Sequence, residues 1–196
     1  MLRLILVLVT MLLPLRALAD GDRFTFNVGL FYDDREQVEQ NEKSATNELV
    51  FMVGGGYAWS NGFYLGAKYY RDKLDQKGSA AGSETVTALG PTIGFMRKNL
   101  IYITGSYLLA PTKLQEATAG GQLATRTLKG GTGTLLELGY PLAVNSSFCL
   151  GPIYSQLKTD YKKSDTTGNG TTTNESLTGT WSDSWSRLGF GMWFNL

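Results

Sequence analysis

The residues that could do chemistry in this 196-residue chain are few, because the most common proton acceptor of enzymes is missing. The sequence has no histidine, which excludes the serine–histidine arrangements in which an imidazole accepts the nucleophile's proton. Cys149 is the single cysteine, so neither an intramolecular disulfide nor a zinc-type site is expected. Gly54-Gly55-Gly56 lacks the lysine and spacing of a phosphate-binding loop, and we interpret it as tight packing against a large side chain. The sequence therefore predicts no enzyme, no cofactor and no metal.

Six charged residues are the most specific candidates that remain. Each lies on the polar face of a segment in which apolar residues alternate with small or polar ones. These residues are Arg23, Glu48, Lys68, Glu84, Glu137 and Arg187. If the polar face lines a narrow lumen, the charges must be paired, because an isolated buried charge is costly. We expect Glu137, Lys68 and Arg187 to form an ion network near mid-height. The lumen tyrosines expected to join it are Tyr64, Tyr70 and Tyr102.

Eight alternating segments carry these residues. They cover about 22–33, 47–59, 63–72, 84–96, 100–109, 130–141, 147–160 and 183–196. A repeat of two is typical of β-strands, whereas a helix repeats every 3.6 residues. The polar face is rich in Gly, Ser, Thr and Tyr and poor in the Lys and Glu of a soluble surface. The pattern therefore favours apolar side chains that point outward, with a soluble sandwich or lipocalin-like barrel as the alternative.

The connections between the segments alternate between long and short. The short ones are 60–62, 97–99 and 143–146, and the long polar ones, predicted to be mobile loops, are 34–46, 73–83, 110–129 and 162–180. This rhythm is typical of an eight-stranded antiparallel up-and-down transmembrane β-barrel, with tight turns on one side of the membrane and long loops on the other. Ten strands, with an extra hairpin in one of the last two loops, remain the structural alternative.

Aromatic residues cluster near the ends of the segments. Tyr and Trp favour a membrane interface because one edge is apolar and the other can form a hydrogen bond. The predicted interface residues are Tyr57, Trp59, Phe63, Tyr140, Trp181 and Phe194, and Trp185 is expected beside Trp181.

The first nineteen residues have the organisation of a secretory signal peptide. Arg3 supplies a positive charge, residues 4–13 form an apolar run, and Ala17-Leu18-Ala19 is an A-x-A cleavage site. The apolar run is too short to span a membrane as a helix, and no later segment is long enough. We therefore expect cleavage after residue 19, with residues 20–196 as one domain.

The chain resembles small outer-membrane barrel proteins of the OmpX and OmpA-transmembrane-domain type. The features that carry the resemblance are the signal peptide, the eight segments and the closing sequence LGFGMWFNL of residues 188–196. The resemblance lies in pattern over residues 20–196. It implies a bacterial outer-membrane location with periplasmic termini, extracellular loops, and contact with lipids and lipopolysaccharide. It also implies that the barrel-assembly machinery recognises strand 183–196. In that group the last strand typically ends in an aromatic residue, whereas this chain ends in Leu196.

The expected function is a non-enzymatic structural or surface-interaction role, with a side-chain-filled lumen and four exposed loops. A net charge of +1 gives no reason to expect nucleic acid, and a monomer is expected. The alternative is binding or transport of a small hydrophobic molecule, a lipid or an ion through or within the lumen. Apolar residues on the lumen face motivate this alternative, namely Val50, Met52, Val86, Leu135 and Ile153.

Overall fold

The computed structural model describes residues 22–39, 42–77, 82–97, 99–119, 122–168 and 171–196, and all regular structure within them is β. The strands are β1 Arg23–Glu39, β2 Glu42–Ala58, β3 Phe63–Lys77, β4 Gly82–Arg97, β5 Ile101–Ala119, β6 Gln122–Lys129, β7 Thr132–Gly139, β8 Leu142–Ala143, β9 Phe148–Gly168 and β10 Thr171–Asn195. These ranges contain no helix, and hence no helix that could cross a membrane. The predicted signal peptide lies outside the described residues.

The strands form one antiparallel sheet that closes on itself. β1 to β5 pair in chain order, β5 pairs with both β6 and β7, and both of these pair with β9. β9 then pairs with β10, and β10 pairs with β1 to complete the ring. β6 and β7 share one place in the ring, since the pairs Leu109–Thr132 and Lys113–Leu128 have the same register, and β8 is only a two-residue addition to β9. The all-β, antiparallel prediction is therefore confirmed, with eight strand positions around the described ring.

The four segments predicted as long loops are largely strand, so those boundaries were wrong. β1 and β2 stay paired as far as Glu39 and Glu42, β5 and β6 as far as Ala119 and Gln122, and the other two hairpins continue in the same way. A β ladder is made by backbone groups and does not need apolar side chains. The alternation that reveals a strand in the sequence disappears where both faces become polar, while the hydrogen bonding continues.

Side chains alternate between the two faces of the ring with opposite character. On the outer face, large apolar residues are exposed and form what we term the apolar outer belt. Its members are Phe24, Phe26, Leu30, Leu49, Phe51, Leu65, Leu89, Ile93, Ile103, Leu109, Leu136, Leu138, Leu150, Leu188 and Phe190. The adjacent residues Leu135 and Leu136 illustrate the contrast, since their exposed fractions are 0% and 56%.

A bulge in β5 changes which residues face inward. Ala110 has a φ of 44°, in the left-handed region, and the register between β4 and β5 shifts at this level. Before the bulge the even-numbered Leu108 is fully buried, whereas after it the odd-numbered Lys113 points inward. Gly130, with a φ of 75°, accommodates the distortion on the neighbouring strand position. The bulge thus brings a lysine from a predicted loop into the interior.

Candidate functional site

A buried ion pair lies at the centre of the ring. Lys68 Nζ on β3 is 2.8 Å from Glu137 Oε2 on β7, and the exposed fractions of the two side chains are 1% and 0%. Lys68 also donates hydrogen bonds to Asn27 Oδ1 and, at 3.0 Å, to Tyr102 Oη. Glu137 Oε2 accepts from Tyr102 at 3.2 Å and from Thr104 at 2.9 Å. We term these five residues the central ion cluster, and its partners offset the cost of desolvating two charges.

Large side chains and a glycine enclose this cluster. The Tyr102 ring packs edge-on against Trp193, with 5.4 Å between the ring centroids, and Trp193 is fully buried. Gly54 leaves the space that Lys68 occupies, since a Cβ atom there would lie 2.8 Å from Lys68 Cε and 2.7 Å from Asn27 Oδ1. The inward glycine of the Gly-Gly-Gly run therefore makes room for the ion pair. The interior at this level is filled by side chains.

Arg187 belongs to a second cluster, nearer the end of the ring with the long hairpins. Its Nη2 pairs with Glu48, and its Nη1 lies 3.6 Å from Asp72 Oδ2. Tyr70 donates to Asp72 Oδ2 at 3.0 Å, and Trp185 Nε1 donates to Tyr70 at 3.1 Å. The predicted network of Glu137, Lys68 and Arg187 is thus divided between two clusters. Tyr102 lies with Lys68, whereas Tyr70 lies with Arg187.

Trp185 faces the interior and not the outer interface where the sequence predicted it. Its ring lies 4.4 Å from the Arg187 guanidinium and packs against Tyr70 and Phe31 at centroid distances of 5.8 and 6.4 Å. Trp185 and Arg187 are two residues apart on β10 and therefore share a face. Trp181 also stacks on a cation, with the Arg126 guanidinium 4.5 Å from its ring.

A third cluster centres on Lys113, beyond the apolar outer belt. Lys113 Nζ is 2.8 Å from Glu84 Oε2 and 3.1 Å from Asp183 Oδ1. Gln115 donates to Glu84 Oε1 at 2.7 Å, and Tyr161 donates to Asp183 Oδ2 at 3.0 Å. Burial lowers the pKa of Lys113, but hydrogen bonds and attraction to the two carboxylates outweigh it and raise the pKa overall. Burial raises the pKa of the Tyr161 hydroxyl, so this hydroxyl stays protonated and donates to Asp183.

The sequence prediction missed three charged members of these clusters, namely Lys113, Asp183 and Asp72. Lys113 and Asp183 lie in or beside segments predicted as loops. The parity of β5 before Ala110 assigns Lys113 to the outer face, and the bulge at Ala110 reverses this and turns it inward. Asp72 closes the predicted third strand and has the same parity as Lys68, so its inward direction was readable from the pattern.

The remaining predicted residues lie toward the end of the ring with the short turns. Arg23 Nε donates to Asn195 Oδ1 at 2.8 Å inside the ring. Tyr57, Trp59 and Phe63 form an aromatic row, with successive centroid distances of 5.0 and 5.3 Å.

The other aromatic residues at this end contact neighbouring strands and turns. Phe194 packs against Phe148 at 5.0 Å. Tyr140 donates to the carbonyl of Asn99 in the short connection before β5. Tyr64 is fully buried beside Asn27 of the central ion cluster, whose amide donates to Tyr64 Oη at 3.5 Å.

The fold and the site define a class of all-β protein: a closed ring of antiparallel strands with charged clusters inside and apolar side chains outside. Within the described residues, no group of three or more acidic, cysteine or histidine residues converges to hold a metal ion. No protein-family model matches the chain, and a search of curated proteins finds no similar sequence.

Replacement of Gly54 by alanine should lower the free energy of unfolding by about 1–3 kcal/mol, because the new methyl group overlaps Lys68 and Asn27. Gly55→Ala is the matched control. Its Cβ would point outward with its nearest neighbours 4.0 Å away, so a change within about 0.5 kcal/mol is expected. Equilibrium urea denaturation followed by tryptophan fluorescence measures both. Equal effects at the two positions would contradict the packing described for the cluster.

Glu137→Gln should destabilise the protein by about 3–5 kcal/mol, because it leaves the Lys68 ammonium group buried without its counterion. Asp75→Asn breaks the exposed Lys73–Asp75 pair, whose side chains are 48% and 43% exposed, and should change stability by at most about 1 kcal/mol. Adding Lys68→Met to Glu137→Gln should restore part of the loss, since it removes the unpaired charge. The same denaturation assay tests this, and a loss no larger for Glu137→Gln than for Asp75→Asn would argue against a tight buried pair.

Proposed function

We propose that this protein is a non-enzymatic β-barrel of the bacterial outer membrane, with a lumen closed by side chains. The observation that carries the proposal is the opposite polarity of the two faces, with the central ion cluster inside and the apolar outer belt outside. In water, contiguous apolar surface of this kind is a liability, and soluble monomers rarely expose it. In a bilayer the same surface faces hydrocarbon, and a closed ring satisfies the backbone hydrogen bonds of every spanning strand.

The dimensions of the belt support this proposal. On β1 the belt from Phe24 to Leu30 and the exposed Tyr32 that follows it cover nine residues, and a tilted membrane strand needs about 9–11. The aromatic row of Tyr57, Trp59 and Phe63 lies at the edge of the belt, where an aromatic girdle is expected. In this orientation the short turns, Asp22 before β1 and Leu196 after β10 face the periplasm.

The filled lumen and the long hairpins favour a structural or surface-interaction role. The apolar lumen residues that motivated the transport alternative are packed in the core, with exposed fractions of 0% for Val50, Met52 and Leu135. Transport of a hydrophobic molecule therefore has less support. The hairpins beyond the belt are polar, as in the Thr-rich pairing of β9 with β10, and are the parts available to lipopolysaccharide or to other surface molecules.

The full chain expressed in a Gram-negative host should sediment with the outer membrane and migrate faster in electrophoresis when unheated, as closed membrane barrels resist detergent unfolding. Purified and inserted into a planar bilayer, it should give no discrete ion-conducting steps, because the central ion cluster blocks the lumen. Recovery in the soluble fraction would overturn the membrane assignment. Discrete openings would overturn the closed lumen while leaving the membrane assignment intact.

A pair of arginine substitutions provides the matched control for that experiment. Leu136→Arg places a charge on the belt and should reduce recovery of folded protein from the outer membrane, since arginine on the lipid face costs about 2–4 kcal/mol at the bilayer midplane. Thr173→Arg, exposed on a hairpin, should leave recovery unchanged. In a soluble protein the 56% exposed Leu136 would accept arginine readily, so equal recovery of the two variants would count against the proposal.

A further inference from the structure

A small cavity separates the Arg187 cluster from the Lys113 cluster. Its volume is about 140 Å³, roughly that of four to five water molecules in the liquid at about 30 Å³ each. Leu74, Val86 and Leu157 supply apolar wall, and Trp185 lines it as well. A wider space between the hairpins, lined in part by the same Leu74 and Glu84, adjoins it and provides a route from the hairpin end.

The charges around the cavity do not balance. Toward the ring centre, Glu48 and Asp72 share a single cation, Arg187. On the hairpin side, Glu84 and Asp183 share Lys113. Counting these described groups alone, each side carries two carboxylates and one basic group, so each side has one negative charge in excess when its carboxylates are ionised.

One carboxylate oxygen at the cavity has no hydrogen-bond partner within the described part of the chain. Asp72 lines the cavity and is only 7% exposed, and its Oδ1 receives no hydrogen bond. Its Oδ2, in contrast, accepts from Tyr70. The Glu48 carboxylate beside it cannot donate while both groups are ionised. Arg187 Nη1 lies 3.6 Å from Asp72 Oδ2 and makes no hydrogen bond to either oxygen. A buried acceptor without a donor is costly, and an ammonium group in the cavity would supply one.

The spacing of the carboxylates disfavours a metal ion as the missing cation. A calcium or magnesium ion needs several oxygen ligands at one point. In the described ranges, no three acidic residues converge in that way. Two separated negative sites joined by an apolar wall instead suit a short aliphatic chain with a positive group at each end.

We propose that this cavity binds a short-chain α,ω-diammonium alkane. One ammonium group donates to Asp72 and Glu48, the other donates to Glu84 and Asp183, and the methylene chain lies along Leu74, Val86 and Leu157. The proposal concerns the interior of the ring and does not depend on whether the outer belt faces lipid.

Isothermal titration of the purified full chain with 1,4-diaminobutane tests the proposal. We expect saturable binding of one molecule per chain, and binding of 1-aminobutane weaker by about tenfold or more, because it has only one charged donor. Asp72→Asn and Glu84→Gln should each weaken binding of the diamine by a similar factor, since they remove the excess charge on opposite sides of the cavity. Asp75→Asn, which removes an exposed carboxylate of a different pair, should leave the affinity within about twofold.

Weaker binding by Asp72→Asn or Glu84→Gln could also come from misfolding, so a variant that binds more tightly is needed as well. Lys113→Gln removes the cation that competes for Glu84 and Asp183 and should tighten binding of the diamine severalfold. The proposal is overturned if no saturable heat is seen up to about 10 mM diamine. It is also overturned if 1-aminobutane or Mg²⁺ binds as tightly as the diamine, or if Asp72→Asn binds like the original chain.

Discussion

The rest of the structure depends on the buried pair between Lys68 and Glu137. Two charges with almost no exposed surface are stable only if they meet in good geometry and their remaining hydrogen-bonding capacity is largely used. Asn27 on β1 and Tyr102 and Thr104 on β5 meet most of this need, and Gly54 leaves the space in which the lysine lies. These partners come together only when β10 pairs with β1 and closes the sheet. The ion pair and the closure of the ring therefore require each other.

The interior is organised as successive charged clusters that differ in their balance of carboxylates and cations. The central ion cluster is fully buried and pairs one carboxylate with one cation, which suits a fixed plug. The clusters of Arg187 and Lys113 lie closer to the hairpins, border a cavity, and carry more carboxylates than cations. The same ring thus combines a middle filled by side chains, which supports the proposed structural role, with a cavity on the hairpin side where binding of a diammonium alkane is proposed.

The sequence predicts the strands and their two faces well, because the alternation of side chains is a local property. Lys68 and Glu137 follow from parity alone. Parity does not predict that Arg187 lies apart from them. In the sheet register, Ser155 pairs with Glu137 on one side and with Arg187 on the other, yet these two charged residues belong to different clusters. In a closed sheet the strands are tilted and staggered, so residues along one row of hydrogen bonds lie at different heights, and the height depends on the register of every strand between them. The relative heights of residues on distant strands therefore cannot be read from a single sequence.

The predicted loops failed for a related reason. Their strands carry polar residues on both faces, and the bulge at Ala110 leaves no distinctive residue type in the sequence. Alanine is not a residue that signals a left-handed backbone, whereas the two glycines opposite, Gly130 and Gly131, could equally indicate a turn. The inward position of Lys113 follows from this bulge, so the alternation of residues in the sequence does not predict it.

The proposed orientation of the two faces is tested most directly by nuclear magnetic resonance of the methyl groups of Leu135 and Leu136 in a lipid nanodisc. A nitroxide placed midway along the lipid acyl chains broadens signals steeply with proximity. Leu136, on the apolar outer belt, should be broadened strongly, and Leu135, fully buried inside the ring, much less. Equal and weak broadening of both signals would contradict the account.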